Sequence, residues 1–361
     1  MIFDPLLDLF RGKAVTIPPM DGALRPDTAL DGADVVTELR APDNLCFDGA
    51  RVLFSSGAEL LALTGASAAP VPVHRFDAEI AALAAADGHL AVALADGRIL
   101  LGDGRAAPVP LSLDAQLNCP TALAFGRDGA LYLCNGSDRH APADWVVDLM
   151  ERGASGSVWR IAPGSGRAER LAGGLAYPNG ILLDEAGGCA IVAESWRHRL
   201  LALPLPGGAP APVLSKLPGY PARLAPAAGG GAWLALFAPR NRLIEFVLLE
   251  DEYRADMMRD VPREYWIAPT LASGRSFLEP LQCGGVKTMG IHKPWSPSRS
   301  YGLVARLDAA MQPVASLHSR ANGRRHGITS VVERAGRLLA TARGGDALLG
   351  IDLADMGAAR P

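Results

Sequence analysis

The sequence predicts an all-β fold, a six-bladed β-propeller that carries a partly helical lid insertion in blade five. One sequence pattern occurs six times along the 361 residues. It consists of an apolar strand, a glycine turn and a second apolar strand. The first two spacings between the turn glycines are 39 and 41 residues, close to the roughly 40–50 residues of a propeller blade. A β-sandwich or two small β domains would not explain six copies. The turn glycines are Gly49, Gly88, Gly129, Gly187, Gly230 and Gly336.

The other strands follow each hairpin in order. The pattern predicts a third strand, as at 156–162 and 199–203, and then a fourth apolar stretch such as 211–214. Radial packing would let every blade bury its faces on its neighbours. We expect one propeller domain over residues 1–361, closed where the N-terminal segment adds a strand to the last blade.

Two insertions interrupt the repeat. Residues 143–152 form a short amphipathic stretch inside blade three, and a larger insertion runs from about 239 to 300 in blade five. The apolar spacing over 243–258 is helical. The later part, with Trp266, Phe277 and Trp295, is predicted to be irregular. A long insertion of this kind favours a lid over one mouth of the ring. The alternative is a cover for an exposed blade edge.

Composition excludes several function classes. The net charge of -3 argues against a nucleic-acid binder, which needs a basic face. No apolar run approaches the roughly 18 residues that span a bilayer. The first residues lack a basic n-region, so we expect no signal peptide and a cytoplasmic protein. The five cysteines contain no CxxC pair, which argues against a disulfide framework or zinc site. The oligomeric state stays open.

The candidate site follows from the geometry of the propeller. The innermost strand of each blade begins near the central axis, so the side chains just before each copy of the strand–turn–strand pattern converge there. Polar groups that converge in a concave site are the default active-site hypothesis. In chain order these groups are Asp43–Asn44, Asp77 or Glu79, Asn118–Thr121, Tyr177–Asn179, Tyr220–Arg223 and Arg325–His326.

Several segments carry a family resemblance over roughly residues 118–353. They are 173–180 (GGLAYPNG), 192–200 (VAESWRHRL), 217–221 (LPGYP) and 327–333 (GITSVVE). On these motifs the chain resembles the strictosidine synthase-like proteins. That family lies within a wider six-bladed group that includes gluconolactonases, regucalcin-type proteins, paraoxonases and the adipocyte plasma membrane-associated protein.

The resemblance bears on whether the protein binds calcium at the axis. Metal-dependent members hold a calcium ion at the axis through acidic and amide oxygens. Asp43 and Asn179 match two of those ligands, but Ala222 stands where the third, an aspartate, is usual, and Arg223 replaces the next asparagine. An unpaired arginine would repel a divalent cation. We therefore expect no metal and no other cofactor, with Asp43 and Asn179 as the ligands if calcium is bound.

Two further residues have competing interpretations. His326 matches the catalytic glutamate of the plant synthase, and a histidine can act as a base or acid near neutral pH. Alternatively, His326 is a tunnel-lining histidine that hydrogen-bonds Asp43 or Asn44. Glu194 is a candidate for substrate binding, or it forms a structural ion pair with Arg197 or Arg199 between adjacent strands.

The sequence thus predicts a metal-independent hydrolase of lactones or esters that acts at the central mouth. His326, Asp43 and Arg223 would be catalytic, and Arg223 would favour an anionic small-molecule substrate. The alternatives are a strictosidine synthase-like lyase or condensing enzyme acting on an amine or imine, and a propeller that binds small molecules without turnover. Substrate binding is assigned to Asn44, Thr121, Asn179, Tyr220, Glu194 and Trp196.

Overall fold

The chain forms six four-stranded antiparallel sheets around a central axis, which confirms the predicted six-bladed β-propeller. The innermost strand of each blade lies beside the innermost strands of both neighbouring blades, and blade six returns to blade one. This computed structural model describes residues 17–65, 69–86, 88–104, 106–184, 186–276, 278–280, 287–288, 291–292 and 298–354.

The strands run in chain order from the centre of each blade outwards. Strand β1 is Asp34–Glu38 and belongs to blade six. Blades one to three contain β2 (Pro42–Phe47), β3 (Val52–Ser56), β4 (Glu59–Leu63), β5 (Val71–Arg75), β6 (Ile80–Ala86), β7 (His89–Leu94), β8 (Ile99–Gly102), β9 (Val109–Pro110), β10 (Pro120–Phe125), β11 (Leu131–Asn135), β12 (Gly156–Ile161) and β13 (Ala168–Leu175).

Blades four to six repeat the same order, interrupted once. Blade five contains the insertion between its second and third strands, where β20 (Lys287–Thr288) and β21 (Ile291–His292) form a separate hairpin. The blade strands are β14 (Pro178–Asp184), β15 (Cys189–Glu194), β16 (Arg199–Pro204), β17 (Ala211–Leu214), β18 (Gly219–Pro226), β19 (Ala232–Pro239), β22 (Gly302–Leu307), β23 (Pro313–Ser319), β24 (Ile328–Arg334), β25 (Arg337–Ala342) and β26 (Ala347–Asp352).

The glycine turns lie where the repeat predicts them. Gly129, for example, has φ +75° between β10 and β11, a conformation that side chains rarely adopt. In the fourth hairpin the positive φ falls on Gly188, one residue later than the predicted Gly187. Gly187 instead donates its amide to the Asp184 carboxylate, 2.9 Å away.

The N-terminal segment closes the ring as expected. Strand β1 pairs antiparallel with β26 and becomes the fourth strand of blade six. Before β1, the buried Leu30 donates its amide to the carbonyl of His318 at 3.0 Å, and Asp27 accepts the amide of His318 at 2.8 Å. The segment therefore joins blade five to blade six.

Both insertions are partly helical. The insertion in blade three forms α1 (Trp145–Met150), and the one in blade five begins with α2 (Arg242–Leu249) and α3 (Asp251–Asp260). Asn241 caps α2 by accepting the Leu243 amide at 2.9 Å, as N-cap residues do. Phe277 and Trp295, predicted within the irregular part, lie outside the described residues.

Apolar clusters fill the spaces between neighbouring blades. The largest joins blades five and six to both insertions and contains Tyr220, Trp233, Phe237, Ile244 and Trp266. Because the helices share this core with the blades, they are anchored beside the central mouth.

Candidate functional site

A cavity of about 280 Å³ lies at the axis, at the end of the ring where the inner strands begin. Its lining comes from several blades, from α1 and from the insertion of blade five. Polar and aromatic side chains both line it. Its lining includes Glu79, Thr121, Asn179, Arg223, Thr329 and Arg343, together with Trp145, Tyr177, Trp196, Phe237 and Leu271.

Asp43 holds two arginines at this cavity. It lies at the start of β2, and its side chain is 5% exposed. Arg223 donates to one carboxylate oxygen at 2.9 Å, and Arg343 donates to the other at 3.1 Å. Burial raises the pKa of Asp43, but the two guanidinium groups outweigh it and hold that pKa below its usual range. Asp43 is therefore an ionised anchor for the two cations.

The two arginines differ in accessibility. The Arg223 side chain is 15% exposed and also donates to the carbonyl of Ala81 at 2.7 Å. The Arg343 side chain is 39% exposed. Arg223 additionally lines a cavity of about 440 Å³ farther along the central channel, between the inner strands. Arg223 thus separates the two cavities, and Arg343 is the more accessible cation at the mouth.

The close approach of blades four and five fixes the neighbourhood of Asn179. A Cβ on Gly180 would lie 2.2 Å from the carbonyl oxygen of Ala222, so only glycine fits there. Thr121 lines the cavity, and its hydroxyl donates to the carbonyl of Pro178 at 2.5 Å. Asn179 and Thr121 therefore lie in the cavity with Arg223, as the sequence indicated.

Asn44 lies behind the cavity rather than in its wall. It is buried, has φ +62°, and donates to the Ser55 hydroxyl at 2.8 Å and to the carbonyl of Ile80 at 3.2 Å. The backbone amide of Asn44 donates to Asp43 at 2.8 Å. Asn44 therefore orients Asp43 and joins blades one and two, without touching the cavity.

Trp196 forms part of an aromatic wall. Its ring stacks on Tyr177 with centroids 4.4 Å apart, and its indole nitrogen donates to Asp148 at 2.7 Å. Tyr220, also predicted at the site, is fully buried behind this wall and packs against Phe237 at 5.5 Å. Tyr220 supports the wall and does not line the cavity.

His326 lies outside the cavity. Its Nδ1 is 2.7 Å from the hydroxyl of Ser300, and its Nε2 is 2.7 Å from the carbonyl oxygen of Arg320. Because that carbonyl only accepts, Nε2 carries the proton and Nδ1 accepts from Ser300. Burial lowers the pKa of His326. Neither predicted role is supported by these contacts: the ring reaches neither the cavity nor Asp43 and Asn44.

Glu194 does not line the cavity either. It is fully buried at the end of β15 and accepts from Arg197 at 2.7 Å and from the Ala176 amide at 2.8 Å. Its other oxygen accepts from Arg199, its direct partner on β16. These contacts match the structural alternative and leave no carboxylate oxygen for a substrate.

Sequence reasoning missed Arg343 and the contribution of α1. The prediction drew mainly on positions before the inner strands and, of the residues that follow a second strand, named only Trp196, although such residues reach the same mouth. Arg343 follows β25, Ala95 follows β7, and both line the cavity. Of the two carboxylates proposed for blade two, Glu79 lines the cavity. Asp77 instead accepts from Arg98 at 2.6 Å on the surface.

The residues present do not fit an axial calcium ion. Calcium takes six to eight oxygen ligands. Both oxygens of Asp43 accept arginine hydrogen bonds, and Ala222 offers no side-chain oxygen. Arg223 is not unpaired, as the sequence had suggested: it donates to the Asp43 carboxylate that calcium would need. No cluster of three or more metal-ligating side chains occurs among the described residues.

Two larger depressions lie elsewhere on the surface. One of about 710 Å³ lies between blades one and two, where Arg51 and Asp48 pair at 2.8 Å. Another of about 780 Å³ runs beside the insertion of blade five and shares Trp145, Leu271 and Arg343 with the axial cavity. The axial cavity remains the best candidate because polar groups from several blades converge there.

The fold and the axial cavity together define a six-bladed propeller with a small-molecule-sized site at its central mouth. The chain belongs to the SMP-30/gluconolactonase/LRE-like family, whose profile matches residues 56–243, slightly more than half of the chain. No curated protein sequence matches the chain. Within the described residues, every helix is too short or too polar to span a membrane.

Solved structures show the same fold at low identity. A gluconolactonase from Xanthomonas campestris is 15% identical, with a TM-score of 0.56 over 88% of this chain and 87% of that one. A calcium-binding regucalcin from Agrobacterium tumefaciens is 16% identical, with a TM-score of 0.57 over 88% and 92%. A luciferin-regenerating enzyme is 13% identical, with a TM-score of 0.50 over 86% of each chain. At these identities the likeness concerns the fold alone.

Proposed function

We propose that this protein hydrolyses small lactones or esters in the axial cavity, without a bound metal. The observation that carries the proposal is the pair of arginines held by buried Asp43 at the mouth. Membership of a family that includes gluconolactonases supports this reaction class. The substrate presents a carbonyl or anionic group to the arginines.

The arginines supply the electrostatic part of the reaction. A carbonyl oxygen that accepts from Arg343 gains negative charge in the transition state, and a preorganised cation stabilises that charge. Asp43 does not act as a base, because both of its oxygens already accept hydrogen bonds and its pKa is low. Asp43 is a positioning residue that fixes the two guanidinium groups.

Glu79 is the proposed general base. It is exposed at the rim and lines the same cavity. Water gives a proton to Glu79 as its oxygen bonds to the carbonyl carbon. The C–O bond of the lactone or ester then breaks, and its oxygen keeps the electron pair and takes the proton back from Glu79. The hydroxy acid, or the acid and alcohol, leaves the open mouth.

The geometry favours hydrolysis over the condensing alternative, which depended on His326 as a base inside the site. A binding protein without turnover is the second candidate. It is favoured by one observation: among the described lining residues Glu79 is the only carboxylate. If Glu79 does not activate water, the cavity binds its ligand unchanged.

Three variants test the proposal. We expect the wild type to hydrolyse members of a panel of lactones and nitrophenyl esters, followed by proton release or absorbance. Glu79→Gln should lower kcat by about 10²–10⁴-fold, and Arg343→Ala should lower kcat/KM by about 10²–10³-fold. Asp77→Asn is the matched control, because this carboxylate is two residues away and faces the surface; its activity should stay within about twofold.

The outcomes separate the two candidates. A wild type that hydrolyses no member of the panel, or a Glu79→Gln variant as active as the wild type, would contradict the proposed reaction. Loss of activity in both cavity variants but not in the control would support it.

A further inference from the structure

The axial cavity is lined by two chemically unlike kinds of side chain. Two arginines, Arg223 and Arg343, line it together with the indole rings of Trp145, from α1, and Trp196. Trp145 and Trp196 are both partly exposed, whereas Tyr177 and Phe237, which also line the cavity, are buried. An aromatic face therefore lies within one small cavity with two cations.

The aromatic wall is fixed in place. Asp148, only 1% exposed, accepts from the Trp196 indole nitrogen at 2.7 Å. The Trp196 ring stacks on Tyr177 at 4.4 Å and lies 6.2 Å from the Trp145 ring at an interplanar angle of 34°. The Trp145 ring meets Phe237 edge-on at 5.3 Å. Rings that are already ordered cost little conformational entropy when a ligand binds.

The size of the cavity limits what fits. A cavity of about 150 Å³ holds a benzene ring, and the axial cavity measures about 280 Å³. One ring with a short polar substituent, or a fused bicycle, fills this space. A longer acyl chain would extend beyond it, into the depression of about 780 Å³ that shares Trp145, Leu271 and Arg343.

We infer that the ligand of this site is an aryl compound with an acidic or carbonyl group, such as an aromatic lactone, an aryl ester or its carboxylate product. Its ring packs on Trp145 and Trp196, and its carbonyl or carboxylate accepts from Arg343. Stacked or edge-on aromatic contacts stabilise a complex beyond the area they bury. The identity of the reacting group rests on the proposed function. The preference for an aromatic ring concerns binding alone.

The affinity for ligands that the protein cannot hydrolyse tests this preference for an aromatic ring. Calorimetric titration would compare 3-phenylpropionate with 3-cyclohexylpropionate, which carry the same charge at the same distance from the ring. Gluconate serves as a polyhydroxy acid of the same charge. We expect the phenyl compound to bind about 3–10-fold more tightly than the cyclohexyl compound, and gluconate to bind more weakly than both.

Matched variants test whether the two tryptophans cause the preference for an aromatic ring. Trp196→Leu and Trp145→Leu, made separately and checked for unchanged thermal melting, should bring the phenyl and cyclohexyl affinities to within about twofold, because leucine offers no π face. Trp159→Leu is the control, since Trp159 lies on β12 outside the cavity and donates to Ser157 at 2.8 Å. It should keep the preference.

The failures can be told apart. Equal affinities in the wild type, or tighter binding of gluconate, would overturn the inference even if the protein hydrolyses lactones. An aryl preference that is lost in the tryptophan variants supports the inference even if no lactone is hydrolysed, in which case the proposed reaction fails instead.

Discussion

Asp43 illustrates how one side chain organises the site. The carboxylate lies between two guanidinium groups, at 2.9 Å from Arg223 and 3.1 Å from Arg343. Burying either charge alone is costly, and pairing offsets that cost. The sequence indicated Asp43 and Arg223 because both precede or begin inner strands. It could not indicate that they bond to each other across the axis, since 180 residues separate them.

Removing the charge of Asp43 should destabilise the protein strongly. Asp43→Asn leaves two cations without a counter-charge, and breaking a buried pair costs about 3–5 kcal/mol. The free energy of unfolding from urea titration measures this loss. Asp34→Asn is the control, because Asp34 is 80% exposed in its pair with Arg337; it should cost less than about 1 kcal/mol. Similar losses in the two variants would contradict the role assigned to Asp43.

At the scale of elements, the segment before β1 performs the closure. Leu30 is completely buried in the core shared by blades five and six, and Asp31 accepts the hydroxyl of Ser319 at 2.8 Å. The repeat predicted that an N-terminal strand closes the ring. It did not predict these earlier contacts, because residues 27–31 carry no strand pattern of their own.

Leu30→Ala should weaken the closure. Truncating a buried leucine costs about 2–5 kcal/mol, through lost burial and the cavity left behind. Val35→Ala in β1 is a suitable comparison, because Val35 is 39% exposed and should change stability by about 0.5 kcal/mol. Chemical denaturation of both variants measures the difference. Equal, small effects would mean that the N-terminal segment is not part of the cooperative core.

At the scale of the whole molecule, the repeat was the most informative part of the sequence. Six glycine hairpins predicted the blades, the helical spacing over 243–258 predicted α2 and α3, and the inner-strand rule brought Thr121, Asn179 and Arg223 to one cavity. The rule failed for His326, because the chain before β24 turns its ring towards Ser300 in blade five. Whether the insertion acts as a lid stays a prediction, although Leu271 contributes to the cavity wall.

The aromatic wall shows what the sequence could not reveal at this scale. Trp145 comes from α1 of blade three, Trp196 from blade four and Phe237 from blade five. Trp196 was predicted to bind substrate, but Trp145 and Phe237 look like ordinary core aromatics in their own segments. Only the closed ring brings them into one cavity with Arg343.

We propose that the two arginines held by Asp43 stabilise negative charge at the axis without a metal, as a bound cation would. The most direct measurement is the rate of ester or lactone hydrolysis, with the melting temperature, after EDTA treatment and again after calcium is restored, beside elemental analysis of the purified protein. We expect no stoichiometric calcium, and a rate and melting temperature that neither EDTA nor calcium changes. One calcium ion per chain, with activity lost in EDTA and recovered with calcium, would contradict it.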